Sequence, residues 1–333
     1  MKSAVLALGF VLAALPAAAQ TFEMKLATNT LRDPTEALIG EFKNRIEART
    51  NGRIKAGLYP GSQLGTIPRM VEGVQLGTIE YYATASGFFK TVNPAYQALD
   101  VPGLFDDMEH ANRTFQDATV SKAFFALGEN RGMVGGTIFC VGPTSYSTRD
   151  KPLRTVADFK GMKFRVLATK IETGLMDKLG ATGVPIPLEE TLPALQNRLI
   201  DGVRSNIIVT AGLKYFSVAK YLTLVNDTNI ATIGMVSTAF LAKLPPDLKQ
   251  AVMEVAGEMS AFGYQKSAEF DARSAAVWRE NGATVLEMEP SERAEFMRRG
   301  REVADAELKA NPDAKTKELY ALLTETAERT RKK

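Results

Sequence analysis

The chain has 333 residues, enough for a large core and, at ordinary domain sizes, for two domains. Hydrophobic residues make up 45% and charged residues 24%, a globular composition that excludes a disordered chain. Lys and Arg number 41 against 38 Asp and Glu, and a net charge of +3 is too balanced for the basic stripe that nucleic-acid binding requires.

Lys2, the apolar run from Ala4 to Leu15 and the small residues Ala17-Ala18-Ala19 read as a cleavable export signal over residues 1–19. The run is shorter than the roughly twenty apolar residues that a membrane span needs, so the mature chain is expected to be soluble in the periplasm. Met24-Lys25-Leu26-Ala27-Thr28 predicts a first strand. Asp33-Pro34-Thr35-Glu36 then opens a helix, with Asp as N-cap, Pro at the first helical position and Glu three residues beyond the cap. Leu38, Phe42 and Ile46 mark its buried face, and Asn51-Gly52 its end. A strand is expected over Arg53 to Leu58, a helix over Pro68 to Leu76, and a strand over Thr78 to Tyr82. The alternation recurs from Lys163 to Val203, which predicts an α/β protein.

Pro245-Pro246-Asp247 begins a helix expected to run to about Asn281-Gly282, with Leu248, Val252, Val255, Met259 and Phe262 as its stripe. That length exceeds the globular average of about twelve residues, and the stripe fades after Phe262. A spine spanning two lobes fits both features. A strand at Thr284-Val285-Leu286 and two helices divided at Asn311-Pro312 complete the chain, whose basic end from Arg329 to Lys333 reads as a solvated helix terminus. No Gly/Ser linker separates the halves, so strands or helices join them, as a hinge requires.

Catalytic chemistry is hard to assemble from this inventory. His110 is the single histidine and is expected at the surface of a polar helix start. Alone it supports neither a zinc site nor, without a G-x-S-x-G elbow, a serine triad. Cys140 lies in the apolar run Thr137 to Val141 and reads as an inert buried thiol. Gly132-Met133-Val134-Gly135-Gly136 fails the dinucleotide fingerprint, and no P-loop is present. Glu189 and Glu190 are adjacent, so on a helix they diverge by about 100° and read as a solvated first turn. No cofactor and no metal is expected.

The informative stretch runs from Asp158 to Tyr221. It includes Asp158-Phe159-Lys160-Gly161-Met162-Lys163-Phe164-Arg165-Val166, Pro185-Ile186-Pro187, Ala194-Leu195-Gln196 and Asp201-Gly202. Earlier come Tyr59-Pro60-Gly61-Ser62-Gln63-Leu64-Gly65, Gly73-Val74-Gln75-Leu76-Gly77 and Asp100-Val101-Pro102-Gly103-Leu104-Phe105, and later Leu244-Pro245-Pro246-Asp247-Leu248. In order and spacing these closely resemble the substrate-binding proteins of TRAP (tripartite ATP-independent periplasmic) transporters, of dicarboxylate/sialate type, over nearly the whole mature chain.

The resemblance implies a two-lobed α/β clamp with discontinuous lobes and a long helix along both. One lobe is expected over 20–142 plus 231–270 and the other over 143–230 plus 271–333. It also implies that Arg165 anchors a ligand carboxylate. A planar guanidinium suits that task by offering two parallel donors, whereas the strand pattern alone leaves a surface Arg equally open. Asn29 matches a ligand-contacting Asn. Lys151 aligns with a second Arg of sialate-binding members, and it either assists the carboxylate or is an exposed loop residue. Those members read Gln-Glu-Asn-Pro where this chain reads Val203-Arg204-Ser205-Asn206, so either Ser205 or Asn206 faces the ligand, and Arg204 is a second anion anchor or solvated. Ala85, with Ser86 beside it, stands where a Glu is found in sialate binders, Ala168 where an Asn is found, and Leu188 where a Phe is found. The exchanges share a direction, towards a less polar acid of aromatic or branched 2-oxo type.

The partners this implies are a small carboxylate and the small and large membrane subunits of a permease driven by an ion gradient, with the binding protein itself a monomer. Two other readings use the same residues: a ligand-presenting subunit for a periplasmic sensor, and a periplasmic enzyme.

Overall fold

Asp33 starts the first helix as its sequence predicts. Its Oδ1 accepts from the backbone N–H of Thr35 at 3.1 Å and of Glu36 at 2.9 Å, and Leu38, Phe42 and Ile46 are buried behind it. Glu36 reaches back to the N–H of Arg32, one residue before the cap, rather than to Asp33 itself. The computed structural model describes residues 20–332 of the chain, so the expected export signal at 1–19 lies outside the described residues.

In chain order the first lobe begins with Phe22–Thr28 (β1), Pro34–Arg49 (α1), Ile54–Tyr59 (β2), Ile67–Leu76 (α2) and Tyr81–Ala85 (β3). The third strand starts three residues later than its β-branched run suggests, because Gly77 ends α2 at φ +76° and Thr78 and Ile79 both donate back to Gly73 O. Met108–Phe115 (α3) and Ala118–Phe125 (α4) follow, then the 16-residue strand Met133–Thr148 (β4). The second lobe is built from Lys163–Val166 (β5), Lys170–Lys178 (α5), Thr182–Pro185 (β6), Leu188–Gln196 (α6), Gly202–Asn206 (β7), Ile207–Gly212 (α7) and Tyr221–Leu224 (β8). Asn229–Ser237 (β9), Thr238–Leu241 (α8) and Pro246–Glu280 (α9) come next, before Thr284–Glu287 (β10), Pro290–Ala310 (α10) and Ala314–Thr330 (α11).

The sheet runs in the order β2-β1-β3-β9-β4-β7-β5-β6, with β8 on β4 and β10 on β8. The long strand β4 belongs to both lobes. Its first part, Met133 to Pro143, pairs antiparallel with β9, and Thr144 to Thr148 pairs with β7. At the handover the register slips between Cys140 and Gly142, and Gly142 takes φ +130°, a conformation that only glycine adopts without strain. A Cβ there would also stand 2.8 Å from Asn206 Nδ2.

Helix α9 is the expected spine: 35 residues, about 52 Å at 1.5 Å per residue. Leu248, Val252, Val255 and Met259 are buried in the first lobe, against α1 and β4. The stripe then fades because small residues take over. Gly263, where a Cβ would come within 2.7 Å of the Phe139 ring, Ser267 and Ser274 allow close approach until Trp278, fully buried, anchors the far end.

The last helix departs from expectation. Of residues 271–333, expected in the second lobe, β10 pairs with β8 and α10 packs against α5. Helix α11 returns to the first lobe and lies on α3 and α4, burying Leu319, Leu323 and Ala327. Arg329 pairs with Asp117 at 2.8 Å and Lys332 with Glu109 at 2.6 Å, and both side chains stay mostly exposed, so the basic end is solvated as expected while also tethered by acids. His110, expected on the surface, is buried at this junction. Its Nδ1 meets Asp106 N–H at 3.1 Å and its Nε2 meets Ala327 O at 2.7 Å, which makes it a structural imidazole. Cys140 is buried as expected, and burial pushes its thiol pKa up.

Candidate functional site

The ends of β1, β3 and β5 meet β7 and β9 around a cavity that opens between the two lobes. Open α/β sheets bind ligands in this place, outside the carboxyl ends of parallel strands, where chain direction changes. Thr28, Asn29, Thr84 and Ala85 come from the first lobe, and Arg165, Leu167, Ser205 and Asn206 from the second. Phe88, Leu188, Val209 and Ile230 close the apolar part. A neighbouring groove lined by Ile67, Gly87, Ala168 and Pro187 shares Phe88 and Leu167 with the cavity and continues the inter-lobe cleft towards solvent.

Arg165 is 1% exposed. Strand β5 lies between β6 and β7, with Arg165 opposite Val184 on one side and Val203 on the other, so its side chain projects from a strand paired on both edges. Its Nε donates to Ile186 O at 2.9 Å, which orients the guanidinium plane. Nη2 is buried and without a hydrogen-bond partner. Burial lowers the pKa of this cation, and the charges of Tyr215, Glu172 and Glu189 only partly counter it. A buried guanidinium edge without an acceptor is a strong demand for an anion.

Asn206 is placed by its own helix. Its Oδ1 caps α7 by accepting from Ile208 N–H at 2.7 Å and Val209 N–H at 3.3 Å, so Nδ2 must be the free end, and it too is buried and unpartnered on the cavity wall. Ser205 also lines the cavity. Asn29 is fixed the same way round: its Oδ1 accepts from Tyr82 Oη at 3.1 Å and Thr84 Oγ1 at 2.6 Å. Ala85 and Leu188 also line the wall.

Three other candidate positions carry polar groups that are engaged elsewhere. Arg204 touches the cavity, yet its guanidinium is neither solvated nor free for an anion. It pairs with Glu172 at 2.6 Å and Asp227 at 2.6 Å, and donates to Thr228 Oγ1 at 2.8 Å. Burial alone would lower its pKa, but those two carboxylates hold it well above the usual value. Lys151 does not line the cavity. It is exposed, and its Nζ donates to Asp158 O at 2.8 Å, because Thr148 holds the loop through Lys151 O. Ser86 is fully buried behind Ala85 and donates to Asp100 Oδ1 at 3.2 Å.

One wall residue was read only as a helix cap. Asp33 satisfies α1 through Oδ1, while Oδ2 is buried on the cavity surface without a donor. Its cap signature masks this second role. The one hint in the sequence is an acid where Ser or Asn would cap equally well.

The family model described as bacterial extracellular solute-binding protein, family 7, matches residues 27–310. The chain is 29% identical over 246 residues to the 2,3-diketo-L-gulonate-binding periplasmic protein YiaO of Escherichia coli, covering 74% of this chain and 75% of that one. A TRAP periplasmic solute-binding protein from Desulfovibrio salexigens, with bound orotic acid, superposes with a TM-score of 0.88 at 25% identity over 93% of this chain and 100% of that chain. A second, from Shewanella oneidensis with bound succinate, gives 0.85 at 24% identity over 92% and 99%.

Proposed function

The chain belongs to family 7 of the bacterial extracellular solute-binding proteins, and on that footing we propose that it captures a small organic acid between its lobes for a membrane permease. The reading is carried by one observation: the buried Nη2 of Arg165, unpartnered, on the wall of an inter-lobe cavity. A ligand carboxylate supplies the missing acceptor, and Asn206 Nδ2 is a second, neutral donor within the same wall. Phe88, Leu167, Leu188 and Ile230 surround the remainder of the ligand with apolar groups, which favours a branched or aromatic body over a polyhydroxylated one.

Binding across the lobes shifts the open–closed equilibrium towards the closed form, because only that form lets residues of both lobes touch one ligand. Gly142, at the handover of β4 between lobes, is the residue suited to absorb the change. The closed form is then the species that docks on small and large permease subunits, with an ion gradient driving uptake. Exported by its leader, the protein works as a periplasmic monomer. A catalytic role is not part of this reading, since the chain's single histidine is tied to Ala327 O, away from the cavity.

Thermal-shift screening with small acids beside their own carboxamides tests the proposal. The acids are expected to raise the melting temperature and the amides to fail, since an amide offers the guanidinium no negative charge. Equal stabilisation by both members of each pair would refute it.

A further inference from the structure

Asp33 faces the cavity with half of its carboxylate unused. We propose that Asp33 reads a hydrogen-bond donor, a hydroxyl or an ammonium, on the acid that Arg165 anchors, so that the chain selects hydroxy or amino acids over their deoxy counterparts. The inference rests on the carboxylate-binding reading above and adds the substrate class.

Capping α1 requires one oxygen, and Oδ1 alone takes both the Thr35 and the Glu36 N–H. Ser, Thr or Asn caps a helix about as well with a neutral group. Placing a carboxylate here therefore leaves a second oxygen, and that oxygen lies on the cavity wall of a residue only 1% exposed. Thr30 Oγ1 and Thr28 Oγ1 share a hydrogen bond at 3.1 Å in which either hydroxyl can donate. Burial pushes the Asp33 pKa up to about 6, with the Glu36 N–H and the Thr30 hydroxyl pulling it back.

The polar atoms left open on the wall then form a pattern. Arg165 Nη2 and Asn206 Nδ2 are donors from the second lobe, and Asp33 Oδ2 is an acceptor from the first. A ligand that satisfies all three carries an acceptor pair at one end and an O–H or N–H at another point. It bridges the lobes with polar bonds at both sides, with an apolar body between. A plain acid leaves Asp33 dehydrated and unpaired, and a second carboxylate there meets like charge.

Calorimetric titration with propionate beside lactate, and with isovalerate beside 2-hydroxyisovalerate and valine, tests this. The wild-type protein is expected to bind the hydroxyl- or amine-bearing member at least about tenfold more tightly than the deoxy member. Asp33→Asn keeps the cap through Oδ1 but turns an N–H into the cavity. It is expected to abolish that preference and to tighten binding of 2-oxoisovalerate, whose carbonyl accepts. Asp33→Ser, which caps and withdraws the inward acceptor, is expected to abolish the preference without the gain for the oxo acid. Equal affinity within the pairs on the wild-type protein, or a preference that survives both substitutions, overturns the inference alone. Failure of every acid to bind overturns the carboxylate-binding reading and this inference with it.

Discussion

Two buried arginines stand on neighbouring strands of the second lobe, and they are opposites. Arg204 on β7 meets Glu172 and Asp227 and is held charged by them, while Arg165 on β5 has one backbone carbonyl and an empty Nη2. Both are under 3% exposed, so burial does not distinguish them. The supply of acids does. The Arg204 cluster closes on itself, with Asp227 also receiving Thr144 and Thr228, and Glu172 also receiving Leu167 N–H at 2.7 Å. It joins α5, β7 and the approach to β9 into one rigid wall. The Arg165 site is the same chemistry left open on one side, where the proposal above puts the carboxylate of the ligand.

The contrast is sharpest in mutational cost. Arg204→Met leaves two carboxylates buried without their cation and is expected to lower stability by about 3–5 kcal/mol in denaturant unfolding. If the loss is under about 1 kcal/mol, the cluster is not the structural clamp described. Arg165→Ala reverses the pattern. It removes one backbone hydrogen bond and a dehydrated cation, so stability without ligand changes by under about 1 kcal/mol, while affinity for a carboxylate falls at least about thirtyfold, about 2 kcal/mol.

Asp100 tests the boundary between the two regions. It is buried beneath Ser86, with burial first and the Glu172 charge second pushing its pKa up to about 7. Its folded value lies above the ordinary 3.8, so the folded protein binds this proton more tightly than the unfolded chain. That contribution is fully present at acid pH, declines as pH rises from about 4, and is gone above about 7. Asp100→Asn is expected to raise the melting temperature at pH 8 and to leave it nearly unchanged at pH 4, and a variant less stable than wild type at pH 8 would contradict this. The smallest effect belongs to Lys151→Ala. Because Lys151 is engaged with Asp158 O outside the cavity, affinity should stay within about twofold of wild type, well under 1 kcal/mol. A tenfold loss would return it to the site.

What could be read from the sequence was what is local or repeated. Asp33-Pro34 at a helix start, the α9 stripe and the Asn51-Gly52 stop each follow from neighbours a few residues away. The Arg165 strand was legible through its surrounding motif. The fate of Arg204 was not, because its partners lie 32 and 23 positions away and nothing in Val203-Arg204-Ser205 announces them. His110 was misplaced for the same reason, since its cover, Ala327, arrives from a helix more than two hundred residues later. Asp33 failed differently. A sufficient local explanation, the cap, hid the second oxygen, which only the folded cavity reveals.

Isothermal titration of one organic acid into wild type and Arg165→Ala, with the unfolding of each ligand-free protein measured in parallel, bears most directly on the open guanidinium. A drop of at least about thirtyfold in affinity with unfolding left in place is the expected result. Near-wild-type affinity in the variant, or loss of binding only in step with loss of the fold, would show that Arg165 is not the carboxylate anchor.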